Sequence, residues 1–297
     1  MPEPRPSVTQ RTRFRRVLVA LDSSASNDAT LETAAGIAAA TASELTGLFV
    51  EDQDLLRLAE LPFAREIQLA KAMNRALEPT LLLQDLRAQA AVARTAMARQ
   101  AALHRVSWSF QVTQGRSEEA ILLAAGAGDI IALARGFGPL TRFGRFSNQL
   151  RRIAIRASAP VLLAGKINPG KPGTTILPYD ASETVGHLLR LAAELALARG
   201  EPLEIMLLGK AVATSEEMGE RLRRVTGRQE VPELKIWTPR DRSATLRRLC
   251  EADRGLLVLP ADSPSFETAQ IEQILDQARV PVVLQAQEDA GSPESKT

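Results

Sequence analysis

The sequence predicts an α/β protein built as two tandem doubly wound parallel-sheet domains. Three observations carry that prediction. Short apolar runs of strand length alternate with helical stretches along most of the chain, the pattern of a parallel sheet covered on both faces. The run VLVALD at 17–22 ends in Asp and is followed by a polar loop, and TILPYD at 175–180 repeats that arrangement. Each half then closes on a helix end, a proline and a short β run, ASAPVLLAG at 157–165 and ARVPVVLQA at 278–286.

In the first half, the loop SSASND after the first strand offers several helix N-caps. The alanine-rich helix behind it sets Leu31, Ala34, Ala35 and Ala38 at helical spacing. A second strand covers 45–52, and a long helical stretch is expected over roughly 65–103. Strand VSWSFQVTQ, helix SEEAILLAA, strand DIIALA and a helix from about 147 complete this half. In the second half, Val185, Leu188, Leu189 and Ala192 mark the first helix, and LEIMLLG at 203–209 the next strand. A helix near 215–225, strand ELKIWT, helix SATLRRLCEA, strand GLLVLPA and helix FETAQIEQILDQA follow. Right-handed crossovers are expected throughout. The domain reading is a basic tail at 1–13, a first domain at 14–166, a Gly/Pro-rich linker, a second domain at 174–287 and a polar tail at 288–297.

A chain of 297 residues is long enough for each half to bury its own core. A net charge of +2 is too weak to argue for DNA or an anionic membrane, and 4% aromatic residues leave few platforms for stacking bases. Cys250 stands alone, which excludes an intramolecular disulfide and suits a reducing compartment. No apolar run approaches the ~18–20 residues of a membrane span. The N-terminal stretch carries Arg5, Arg11, Arg13, Arg15 and Arg16 without an apolar core, so it is not a secretory signal. A cytoplasmic protein is expected.

The stretches VLVALDSSASNDATLETAAGIA, LTGLFVED, QGRSEEAILLAA, GDIIALARG and SAPVLLAG resemble the universal stress protein family, in its tandem two-domain form. TILPYDASETVGHLLRLAAELA and RVPVVLQA repeat the pattern less closely. The resemblance covers roughly 14–166 and 174–287. It implies the adenine nucleotide alpha hydrolase-like fold, a stress-response regulatory role, and pairing of the two domains across their closing strands. In the family's ATP-binding branch, Gly-x2-Gly-x9-Gly-Ser/Thr follows the fourth strand. Such a loop works because glycines bring backbone N–H groups close to phosphate oxygens, and the Ser or Thr caps the next helix beside them.

Fitting that spacing with Gly136 as the second glycine places Leu133 first, Phe146 third and Ser147 at the hydroxyl position. One glycine of the three is kept. Against that loss, Arg135, Arg142 and Arg145 fall within 133–147, which holds no acidic residue, and arginine forks can bind phosphate directly. The resemblance further assigns Asp22 to the adenosine end of a nucleotide and Val50 to packing of the adenine. The expected ligand is therefore ATP or another adenine nucleotide, with Mg only as its companion. The expected site is Asp22, Val50, Arg135, Gly136, Arg145 and Ser147. The bland alternatives are a helix-capping Asp22, a core Val50 and a solvated arginine loop.

In the second half Asp180 matches Asp22, but LPADSPSFETAQIEQI offers no glycine, and Asp262 and Glu267 would repel a triphosphate. That half is expected to bind no phosphate and to pack against the first. Two readings stand: a nucleotide-binding regulatory module, or a degenerate scaffold that has lost its nucleotide and works through protein contacts. An efficient enzyme is not expected, since no residue has an obvious role as base and no metal ligand set is visible. GKPGTT at 170–175 lacks the upstream glycine and following helix of a P-loop, and no GxSxG occurs. His104 and His187 lie apart from other ligand types. Cys250 reads as a small buried residue in an amphipathic helix. The acidic then leucine-rich stretch at 51–67 is read as a helix over the first sheet, a flap over the cleft or an interaction surface. A tandem chain carries its own pseudo-dimer and leaves room for a homodimer.

Overall fold

A computed structural model describes residues 14–22, 27–61, 65–68, 73–76, 78–134, 146–165, 173–209, 211–263 and 265–286. Its strands are the apolar runs of the sequence. β1 is Arg16–Leu21, β2 Glu44–Asp52, β5 Trp108–Gly115, β6 Asp129–Leu133 and β7 Val161–Leu163. In the second half, β8 is Thr174–Tyr179, β9 Leu203–Leu207, β10 Leu234–Trp237, β11 Gly255–Pro260 and β12 Val282–Gln285. These pair as one ten-stranded sheet in the order β10-β9-β8-β11-β12-β7-β6-β1-β2-β5. Within each half the order is third, second, first, fourth, fifth strand. The reversal between the first and fourth strands is the switch point where open α/β sheets hold ligands.

Every pairing in this sheet is parallel except one. β12 runs antiparallel to β7, with Val283 opposite Leu162. That junction joins the halves edge to edge. Every residue of β6, β7, β9 and β12 is buried, so these strands are mainly apolar rather than alternating; the buried Glu204 within β9 is paired with Arg248 at 2.6 Å. Each such Ile, Leu or Val contributes on the order of 2 kcal/mol by leaving water.

Helices cover both faces. On one lie α1 Asn27–Thr41, α3 Pro79–His104, α6 Glu183–Arg199 and α7 Ser215–Thr226; on the other, α4 Ser117–Ala124, α5 Phe146–Arg156, α8 Arg242–Cys250 and α9 Thr268–Gln277. α1 buries Leu31, Ala34, Ala35 and Ala38, as its spacing predicts. α6 is buried over a wider arc, Leu188 to Ala196, because it packs on the sheet, on α7 and on α1 across the halves. Among the described residues a polar contact also crosses between the halves, Arg151 donating to Ala261 O at 3.4 Å; within the first half, Thr33 Oγ1 donates to Gly165 O at 3.3 Å and holds α1 to the closing segment.

The expected helix over 65–103 is corrected at its N-terminal part. Arg65–Gln68 (β3) and Met73–Ala76 (β4) form an antiparallel two-stranded sheet of their own, and the helix starts only at Pro79. Pro79 supplies the reason. It fits the first turn of a helix, where its missing N–H is not needed, but not the interior. Ahead of it, Gln53–Ala59 form the short helix α2, capped by Asp52, which accepts from Asp54 N at 2.9 Å. The predicted tails at 1–13 and 288–297, and most of the linker, lie outside the described residues.

Candidate functional site

The first-half site starts from strand register. Leu21 pairs with Phe49 across β1 and β2, so Asp22 and Val50 occupy the next positions on neighbouring strands. Ala20 pairs with Leu133 on the other side, so the chain leaves β6 beside the same strand end. The fold therefore brings Asp22, Val50 and the start of the 133–147 loop to one crevice at the switch point. Asp22 is 9% exposed and engaged by neighbouring groups. Val50 is 2% exposed and belongs to the apolar cluster that holds Leu48, Ile121 and Leu133.

Arg135, Gly136, Arg142 and Arg145 lie outside the described residues. Phe146 and Ser147 open α5, and their side chains lie outside them too. Their backbone positions still matter: the two residues that replace and follow the third glycine form the first turn of a helix whose Leu150, Ile153 and Ala154 are buried against the sheet. A helix N-terminus directed from this end carries favourable potential for anions.

A second feature of this crevice escaped the sequence reading. Asp52, at the end of β2, caps α2 and also accepts from Ser117 Oγ at 2.5 Å. Ser117 opens α4, so one buried carboxylate ties the segments leaving β2 and β5 together. The signal was FVED: its last acid sits where an N-cap is needed before a leucine-rich turn.

The second half shows how the same crevice is closed. Asp180, matching Asp22, accepts from Ser182 N at 3.0 Å, Ser182 Oγ at 2.6 Å and Ser265 Oγ at 2.5 Å. Partial burial opposes its ionisation, but the bonds from Ser182 and Ser265 outweigh that and hold the carboxyl below the usual carboxylate range. The Ser265 bond spans the switch point from the β11–α9 loop to the end of β8. Asp262 is exposed, and Glu267 pairs with Arg242 at 3.2 Å.

Beside the closed switch point lies a cleft of about 390 Å³, one strand further out. Leu207, Leu208 and Phe266 give it an apolar side; Thr238, Arg240 and Gln270 give it a polar one. Leu208 is the counterpart of Val50 by strand register. Arg240 has no ion pair among the described residues. Asp241 is occupied in capping α8, accepting from Ala244 N at 2.7 Å. The segment TPRDRS, immediately after a strand, could have drawn notice to this cleft. Cys250 is only half-buried, and not fully so as expected; it lines a separate opening between α8 and α9 with Ser243, Arg247 and Gln273. Burial and then the Glu251 charge push its thiol up.

A family model described as the universal stress protein family matches residues 13–165. The chain belongs to the universal stress protein family. Its α/β fold matches solved structures along nearly its full length. A universal stress protein from Archaeoglobus fulgidus DSM 4304 has a TM-score of 0.66 at 14% identity, covering 95% of this chain and 100% of that one. A functionally unknown protein from Pseudomonas aeruginosa PAO1 has a TM-score of 0.51 at 18% identity, covering 93% and 94%. Identities this low carry the fold alone. No curated protein matches the chain in sequence. Among the described residues no helix is long and apolar enough to cross a membrane, and no three His, Cys, Asp or Glu side chains group as metal ligands would.

Proposed function

We propose that this universal stress protein is a cytoplasmic regulatory binding module that takes ATP or another adenine nucleotide in its first half. The observation that carries the reading is the adjacency of Asp22 and Val50 at the switch point, where β6 releases a loop holding Arg135, Arg142 and Arg145 and no acid. In this reading Asp22 and the backbone beside it meet the adenosine end, and Val50 packs the adenine. Gly136 and Ser147 meet the phosphates, and Arg135 and Arg145 replace the missing glycine donors. Mg arrives only with the nucleotide. Turnover is not the role: the module binds and reports, with ATP hydrolysis slow or absent.

The second half supplies packing rather than a phosphate site. Its matching carboxylate is held by two serines, and Glu267 stands at the loop. A scaffold acting through protein contacts is the second reading, favoured by Phe146 in the place of the third glycine.

Calorimetric titration with ATP, with and without magnesium, separates the two. Micromolar binding that disappears in an Asp22→Ala/Ser147→Ala double variant supports the nucleotide reading. A chain free of carried-over nucleotide that gives no heat up to millimolar ATP sinks it and leaves the scaffold.

A further inference from the structure

The pairing of β7 with β12 uses up the closing strands of both halves inside one chain. The continuous sheet is left with two outer edges, β10 and β5. They are treated very differently. β10 has four residues, one of them Lys235, and a short, charged strand is how natural edges avoid pairing with strangers. β5 has eight residues, WSFQVTQG, with no charge and no proline. Trp108 is 37% exposed and Val112 is 50% exposed. An uncharged edge of this length is a template for another strand.

The orientation of its backbone is fixed by one hydrogen bond. Leu45 N donates to Ser107 O, and Leu45 is the register partner of Trp108. In a parallel pair, alternate residues direct both polar backbone groups to the same side. Residues 107, 109, 111 and 113 therefore face β2. Trp108, Phe110, Val112 and Gln114 direct their N–H and C=O outward, where no described strand pairs with them.

We infer that this edge pairs with itself: two copies of the chain join antiparallel through β5 about a two-fold axis at Gln111. Only that register engages all four outward-facing residues, as Trp108 with Gln114 and Phe110 with Val112, each twice. The side chains agree with the backbone. Phe110 meets Val112, an aromatic with a β-branched residue, on the face toward α3, where Phe110 already packs. Ser109 meets Thr113 on the other face, two hydroxyls. The ends agree in charge. Arg105, exposed and without an ion pair among the described residues, stands just before the strand. Asp54 and Glu119 flank Arg116 just after it. Antiparallel pairing brings the basic end of one copy to the acidic end of the other, and no like charges face each other along the strand. A sheet then runs without interruption through both copies, independent of whether the first half holds a nucleotide.

The test uses the full chain in a Cys250→Ser background, so that no native thiol interferes. Sedimentation velocity over a concentration series should show a reversible dimer. Val112→Lys should weaken it by about tenfold or more, because each substitution spoils two symmetric pairs, with the circular dichroism spectrum unchanged. Gln111→Cys should oxidise to a disulfide-linked dimer, since residue 111 faces its own copy at the close, non-hydrogen-bonded spacing. Val112→Cys, facing Phe110 of the other copy, should not. A monomer at every concentration overturns the proposal, as does a dimer indifferent to Val112→Lys. Equal cross-linking of Val112→Cys and Gln111→Cys overturns the register. If Val112→Lys fails to fold, the two cysteine variants decide alone.

Discussion

Asp180 shows what a single carboxylate does when the site around it has been closed. Its folded pKa is depressed, so its contribution to stability is present above the ordinary carboxylate range and is lost as the pH falls through the folded value. Ser265→Ala removes one of the bonds responsible. It should destabilise the chain by about 1 kcal/mol near neutral pH, the low end for a bond to a charged group that is partly solvated. The difference from wild type should narrow in acid, as read by chemical denaturation across pH. Cys250 offers a second check. With its thiol pushed up by burial and Glu251, alkylation at neutral pH should run slower than for a free cysteine and recover in denaturant. At this scale the sequence was readable where chemistry coincides with a strand end. Asp22 stood out because it closes an apolar run at a strand end, and Val50 only because the family resemblance pointed to it. Arg240 did not, because an arginine in a loop looks the same whether it lines a cleft or only meets water.

Elements were legible in proportion to how strongly they are buried. β6 and α1 announce themselves because packing fixes every apolar position. The stretch from 65 to 78 did not, because its spacing of apolar residues fits either period and only Pro79 decides where the helix begins. The same helix sets a limit on β2. A methyl at Gly47 would come within 2.5 Å of Met97 Sδ and 2.8 Å of Phe110 Cδ2, so α3 and β5 close over this strand only because a side chain is missing there. Gly47→Ala should destabilise by about 1–3 kcal/mol, since both neighbours are side chains that can yield in part; thermal unfolding reads it. At the opposite end of the sheet, Asp129 is fully buried and accepts from Arg16 at 2.7 Å and Gly126 N at 2.8 Å. Asp129→Ala leaves the Arg16 guanidinium without its counter-ion, with only Ala124 O to donate to at 2.6 Å, and the Gly126 amide without its acceptor; it should lower stability by about 3 kcal/mol, read by chemical denaturation.

For the whole molecule, the critical place is where the halves meet. Gly165 follows β7 and lies so close to the second half that an added methyl would fall 2.3 Å from the Val280 carbonyl carbon and 2.5 Å from Pro281 N. These are backbone atoms and cannot step aside cheaply. Gly165→Val should therefore separate the closing strands, and limited proteolysis should release the halves at protease levels that leave the wild type intact. The antiparallel sense of that junction reaches further than stability. Strands of the first half point one way along the sheet and strands of the second half point the other, so their C-terminal ends lie at opposite poles. The Asp22 crevice and the cleft at Arg240 open on opposite walls of the molecule, and no single small ligand can touch both. Anything that covers one pole leaves the other open to solvent, so events at the two poles are separated by the full length of the strands.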